Sequence, residues 1–146
     1  MLQPQDRRLL MEALRPPPGM QLDYAIGTTF SLDLVALLVT PLAFTFFDWE
    51  TADGQPTMDP VALLQAIRRN ADRIAVFCQA GEIKVPPREQ RLFAYLEDCV
   101  HEVTAPSANG VFHPKVWVLR FVGGDTGVMY RVICASRNIT FDRSWD

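Results

Sequence analysis

Apolar and polar positions change period several times along the chain, and each change marks an element. Tyr24, Ile26, Thr28 and Phe30 recur at every second position within 22–30, which predicts a strand. Ser31 follows as a cap, and the apolar run from Leu34 to Phe47 predicts a buried helix kinked at Pro41. That run is 14 residues long between Asp33 and Asp48, short of the roughly 20 needed to cross a bilayer. Upstream, 6–14 predicts a short amphipathic helix stopped by Pro16, Pro17, Pro18 and Gly19. Turn-forming residues dominate 48–60, with Asp53-Gly54 as a turn. Asp59-Pro60 then opens a helix that carries Val61, Leu64, Ile67 and Ala71 at helical spacing.

Further along, the compact run Ile74 to Cys78 suits a strand covered on both faces, and Ala80-Gly81 ends it. Pro86-Pro87 opens another helix, with Leu92, Tyr95, Leu96, Cys99 and Val100 on one stripe. After a connection over 104–110, two strands are predicted at 111–122 and 127–134, separated by a glycine-rich turn. Strands alternating with crossover helices predict an α/β fold: a mixed sheet flanked by helices, parallel at first and ending in an antiparallel hairpin. At 146 residues the chain suits one domain, 1–146, with 1–19 forming an N-terminal helix and proline-rich linker.

Composition narrows the class. About half of the residues are apolar and the formal net charge is −3, so a core is affordable in size and no broad basic field draws in a polyanion. Arg68, Arg69 and Arg73 near the end of a helix suit a solvated face that complements its dipole. Cys78, Cys99 and Cys134 lie too far apart for a paired zinc motif, and their odd number does not suit a disulfide framework. Reduced thiols and an N-terminus without a signal-peptide core point to a cytoplasmic protein without a membrane span.

The chemistry concentrates near the C-terminal end. In a regular strand His113, Lys115 and Trp117 share a face. A lysine there needs a counter-charge, and a bound phosphate supplies one together with several charge-assisted hydrogen bonds. Ser136 and Asn138 are also two apart. A hairpin closed through a Gly124 to Gly127 loop would set Lys115 opposite Ser136 and His113 opposite Asn138. A loop one residue longer would put the pairs on opposite faces. Trp117 is a candidate for stacking on a base, although an aromatic in a central strand is more often core. Arg120 and Arg137 fall on the other face. Arg143 and Trp145, beyond the motif, are left to contact substrate or to pack.

His113-x-Lys115 followed by Ser136-x-Asn138 resembles the signature of the phospholipase D superfamily, over residues 110–145. Ala135 stands where that pattern has glycine and Arg120 where it has aspartate. The tyrosyl-DNA phosphodiesterase branch also lacks the aspartate, and the segment Ala135 to Trp145 looks closest to that branch and to bacterial nuclease-like proteins. The resemblance implies phosphoryl transfer without metal or other cofactor through a phosphohistidine. His113 would be the nucleophile, Lys115 and Asn138 would hold the nonbridging oxygens, and Ser136 would orient the site. Trp117 and Arg143 are the candidate substrate contacts. A second histidine must act as acid, and His101, expected on the helix before the motif, is not placed to do so. The resemblance therefore implies one motif half, an N-terminal half ending after the motif, completed by a homodimer or by a C-terminal region. Nucleic acid is the expected substrate; a lipid phosphodiesterase and a noncatalytic interaction domain of the same fold are the alternatives.

Overall fold

The computed structural model describes residues 10–45, 60–87, 91–107, 109–123 and 127–141. The chain is α/β, with seven strands and three α-helices among these residues. They are α1 (Leu10–Leu14), β1 (Gln21–Thr29), β2 (Leu32–Asp33), α2 (Leu34–Thr45), α3 (Pro60–Asn70), β3 (Ile74–Gln79), β4 (Ile83–Lys84), β5 (Val100–Val103), β6 (Val116–Val122) and β7 (Val128–Cys134). A 3-10 helix, Arg91–Cys99, precedes β5. The predicted loop over 48–59 lies outside the described residues.

The main sheet has the order β5-β3-β1-β6-β7, and β2 pairs with β4 in a small second sheet. Strands β1, β3 and β5 run parallel, while β6 and β7 are antiparallel to their neighbours. The mixed sheet and its terminal hairpin agree with the periodicity. The core forms on one face, where Leu22 and Ala25 of β1, Ile74, Val76 and Cys78 of β3, and Trp117, Leu119 and Phe121 of β6 meet Leu37, Ala43 and Phe44 of α2 and Ile67 of α3. At about 25 cal/mol per Å² of apolar area removed from water, this face is the main source of stability.

Among the described residues the other face carries exposed apolar side chains. Tyr24 and Ile26 of β1, Val118 of β6, and Val128, Tyr130 and Val132 of β7 are all exposed there, and alternation along each strand puts them on the side away from the core. Among the described residues the sheet is thus hydrophobic on both sides with helices on one. The irregularity between Leu22 and Tyr24, where β1 slips against β6, frees Asp23 to meet Arg120 at 2.8 Å on the sheet surface.

Four local expectations are corrected. The cap of α2 is Asp33, not Ser31: its Oδ1 accepts hydrogen bonds from the Val35 and Ala36 amides at 2.9 and 3.4 Å, satisfying two of the helix's orphan donors. The helix expected after Pro86-Pro87 is 3-10 over its described span, Arg91–Cys99, with Leu96 and Cys99 buried and Tyr95 exposed. Its expected last apolar position, Val100, instead opens the edge strand β5, which the short sequence Val-His-Glu-Val does not announce. His101 consequently lies on a strand, its ring 5.0 Å from that of Phe77.

The three thiols are free, with Cys78 and Cys99 buried and Cys134 exposed. Burial, reinforced by Glu102, pushes the Cys78 thiol up to about 11, and burial also raises Cys99 to about 11. Since the thiolate is the reactive form, a disulfide reagent at pH 8 is expected to titrate Cys134 rapidly in the native protein and all three thiols only after denaturation. Rapid native reaction of a second thiol, read from the absorbance of the released chromophore, would contradict this packing.

Candidate active site

The ends of β1, β3, β5 and β7 and the beginning of β6 meet at the same end of the sheet. Strand β1 lies in the middle, with β3 beside it in parallel and β6 antiparallel on its other side. The chain therefore diverges beyond the carboxyl end of β1, the position at which open α/β sheets form ligand crevices. The segment 111–115 crosses this end. Its Phe112 amide donates to Gln79 Oε1 at 2.7 Å, tying it to the end of β3. Thr28 then substitutes for a strand partner: its hydroxyl accepts from the Val116 amide at 2.9 Å and lies 3.1 Å from the Val116 carbonyl.

Between those two anchors stand His113 and Lys115. Lys115 Nζ lies 3.2 Å from His113 Nδ1 and 3.1 Å from Nε2, nearly equidistant, so neither ring tautomer is singled out. The His113 ring also packs against Phe30, 5.1 Å between centroids. His113 is exposed and Lys115 half-buried. An ammonium held against an accessible imidazole offers a nucleophile and an anion-binding charge within reach of one group.

Asn138 arrives at this end by a route other than the expected one. The hairpin pairs Val122 with Val128 and Val116 with Cys134, and the Gly123 amide donates to the Gly127 carbonyl at 3.1 Å. The loop therefore runs from Gly123 to Gly127, one residue longer than expected, and Lys115 meets Ala135 instead of Ser136, through the Ala135 amide at 2.8 Å. Gly123 explains the extra residue. Its φ of 126° is open to glycine, and a Cβ there would lie 2.9 Å from the Gly19 carbonyl oxygen.

In a continued strand that register would have turned Ser136 and Asn138 away. The chain instead bends at Ser136 and Arg137 and docks against the end of β1. Ile139 bridges to Leu32, the Asp33 amide donates to the Ile139 carbonyl at 2.9 Å, and the Ile139 amide donates to Thr29 Oγ1 at 3.0 Å. The Phe30 amide donates to Asn138 Oδ1 at 3.2 Å. Because a backbone N–H can only donate, it fixes the orientation of the Asn138 amide and leaves the NH₂ group as the donor for a ligand. Ser136 is exposed at the bend and makes no side-chain hydrogen bond among the described residues.

On β6 the core reading of Trp117 holds, its stacking alternative fails, and so does the shared face of His113, Lys115 and Trp117. Trp117 is 1% exposed, on the core side, with its ring over Gly27; it has no free face for a base. Strand β6 begins only at Val116, so the alternation that would set His113, Lys115 and Trp117 side by side does not extend back to His113. Arg143 and Trp145 lie outside the described residues. Arg120 faces away from the core and is engaged by Asp23. Arg73, grouped in the sequence with a solvated face, donates to the Leu22 carbonyl at 3.0 Å, whereas Arg68 and Arg69 are exposed as expected.

Thr28, Thr29, Phe30 and Gln79 carry the site without having been singled out. Polar residues at the carboxyl ends of successive predicted parallel strands were the available signal. No group of three or more His, Cys, Asp or Glu side chains suited to a metal occurs among the described residues, and no described helix is long and apolar enough to cross a membrane. Comparison of the chain with family models, with curated proteins and with solved structures finds no match.

Proposed function

We propose that this chain supplies one half of a metal-independent phosphodiesterase site, acting on nucleic acid through a phosphohistidine. The observation that carries the reading is the Lys115 ammonium 3.1–3.2 Å from the ring nitrogens of His113. The Asn138 amide, oriented by the Phe30 N–H, stands at the same end of the sheet. A ring nitrogen of His113 attacks phosphorus and forms an N–P bond while the bond from phosphorus to the leaving oxygen breaks. Lys115 and Asn138 take up the charge on the nonbridging oxygens, with Ser136 left to orient the site. The leaving oxygen needs a proton, and water must later be activated to hydrolyse the N–P bond. The His101 ring packs on Phe77, not beside His113, so this reading assigns the acid to a second motif half, from a second copy or from a C-terminal region.

An aryl phosphodiester separates the first step from the missing acid, because nitrophenolate departs without a proton. Mixing the chain with a nitrophenyl ester of a nucleotide in excess chelator is expected to release a burst of nitrophenolate. It should also leave an alkali-stable, acid-labile nucleotidyl group on the protein. A burst that appears only on addition of a divalent cation would sink the mechanism.

A further inference from the structure

Thr29 is fully buried, yet its hydroxyl holds three polar contacts at the end of β1. It donates to the Ser31 carbonyl at 2.8 Å, lies 3.3 Å from Asn138 Oδ1, and accepts the Ile139 amide at 3.0 Å. A hydroxyl has one proton, and the shorter contact to Ser31 takes it. Its lone pairs then face the Ile139 N–H, so the oxygen acts as a peg on which the backbone immediately after Asn138 hangs.

The Asn138 side chain is fixed at two points. One is its own Oδ1 under the Phe30 amide at 3.2 Å; the other is the backbone held by Thr29. Lys115 is held independently, through its carbonyl and the Ala135 amide, in a part of the ladder that Thr29 does not touch. The Asn138 and Lys115 donors therefore rest on separate supports, and the distance between them depends on how the bend at Ser136 and Arg137 is docked.

We infer that Thr29 is a positioning residue for Asn138: its hydroxyl sets the direction in which the Asn138 NH₂ group points, and so its reach to a ligand oxygen bound at Lys115. This rests on the phosphodiesterase reading for its consequence in catalysis, and on geometry alone for the orientation of Asn138. Valine at 29 keeps the shape but offers the Ile139 amide no acceptor in a buried setting. Serine keeps the oxygen.

The test compares Thr29→Val, Thr29→Ser and Asn138→Ala, alone and combined, in the intact chain. With the nitrophenyl nucleotide ester, Thr29→Val is expected to lower the rate of the burst about 10-fold to 100-fold, less than the roughly 10²–10³ for losing one oxyanion donor outright, because the Asn138 donor is misaimed and not removed. The substrate concentration at half-maximal rate should change little, and Thr29→Ser should stay within about threefold by keeping that donor aligned. In the Asn138→Ala background Thr29→Val should cost almost nothing further, because the two act through one contact. An equal loss in both backgrounds would make Thr29 a general structural residue and overturn the inference. The side-chain NH₂ resonances of Asn138, assigned by their loss in Asn138→Ala, give a readout that needs no activity. They should move in Thr29→Val and hold in Thr29→Ser; unmoved resonances in Thr29→Val would also overturn it. Should Thr29→Val not fold, Thr29→Ala removes the same oxygen and is read by the same spectrum. A wild-type chain with no burst, but with Asn138 resonances that answer to Thr29, would remove the phosphodiesterase reading and leave the positioning role standing.

Discussion

Replacing His113 with alanine is expected to abolish the proposed burst of nitrophenolate and the covalent nucleotidyl adduct together, a loss of at least about a thousandfold, on the scale of removing a covalent nucleophile. The expectation follows from the exposure of the ring and from its neighbours. His113 projects from a segment tied at Phe112 to Gln79 and at Val116 to Thr28. Removing the ring therefore empties the site without unpinning the backbone. Lys115→Ala should lower the same rate by about 10²–10³, as expected for a donor that stabilises charge on the transferring phosphoryl group. Lys115→Arg should recover part of it, since the charge is kept while the point geometry of an ammonium is lost. Circular dichroism and a melting curve check that each variant is folded. A full burst in His113→Ala would move the chemistry elsewhere and leave the Lys115–His113 contact as surface packing.

The elements with strong periodicity are legible in the sequence itself. Strand β1 alternates Leu22, Ala25, Gly27 and Thr29 inward against Tyr24 and Ile26 outward, broken only at the Asp23 irregularity. The run Ile74 to Cys78 is apolar on both sides, as a strand paired in parallel on both edges should be. What escaped were features set by contacts distant in the chain. Strand β5 is four residues long and exists because the edge of β3 is free to pair, and β2 and β4 hold each other through pairs Leu32–Ile83 and Asp33–Lys84. Neither has enough residues to show a period. The cap of α2 was misassigned because Ser31 and Asp33 both have capping side chains, and only the Leu32–Ile83 bridge decides where the helix can begin.

The site was legible in its residue types and not in its route of assembly. His113 and Lys115 come together by local spacing, and the structure brings their side chains into contact. Asn138 reaches the same end of the sheet despite a hairpin register that opposes it, because the bend after Ala135 is held by Thr29, Phe30 and Asp33. A register argument weighs only the ladder, and here the deciding bonds come from the end of another strand. Trp117 left two readings open for a different reason: an aromatic in a central strand favours burial, yet beside a His-x-Lys pair stacking stays open until its partner is known, and that partner is a glycine.

Gly27→Ala is expected to destabilise the fold by about 1–3 kcal/mol, although alanine is the smallest possible addition, because overpacking a tight core costs that much. A Cβ at Gly27 would lie 2.8 Å from two indole carbons of Trp117 and 2.9 Å from a third. The indole cannot retreat, being buried among β6 neighbours and the helices behind them. Trp117→Ala should cost more, about 3–5 kcal/mol, through lost transfer energy and the cavity left behind. The two losses should not add. A smaller ring at 117 makes room for the methyl group, so Gly27→Ala combined with Trp117→Phe should be more stable than the sum of the two single changes predicts, with a coupling of about 0.5–3 kcal/mol. Urea unfolding midpoints of the four proteins measure that coupling. Strict additivity would mean that Trp117 does not rest on Gly27, and would reopen its surface to the stacking role that its burial now denies.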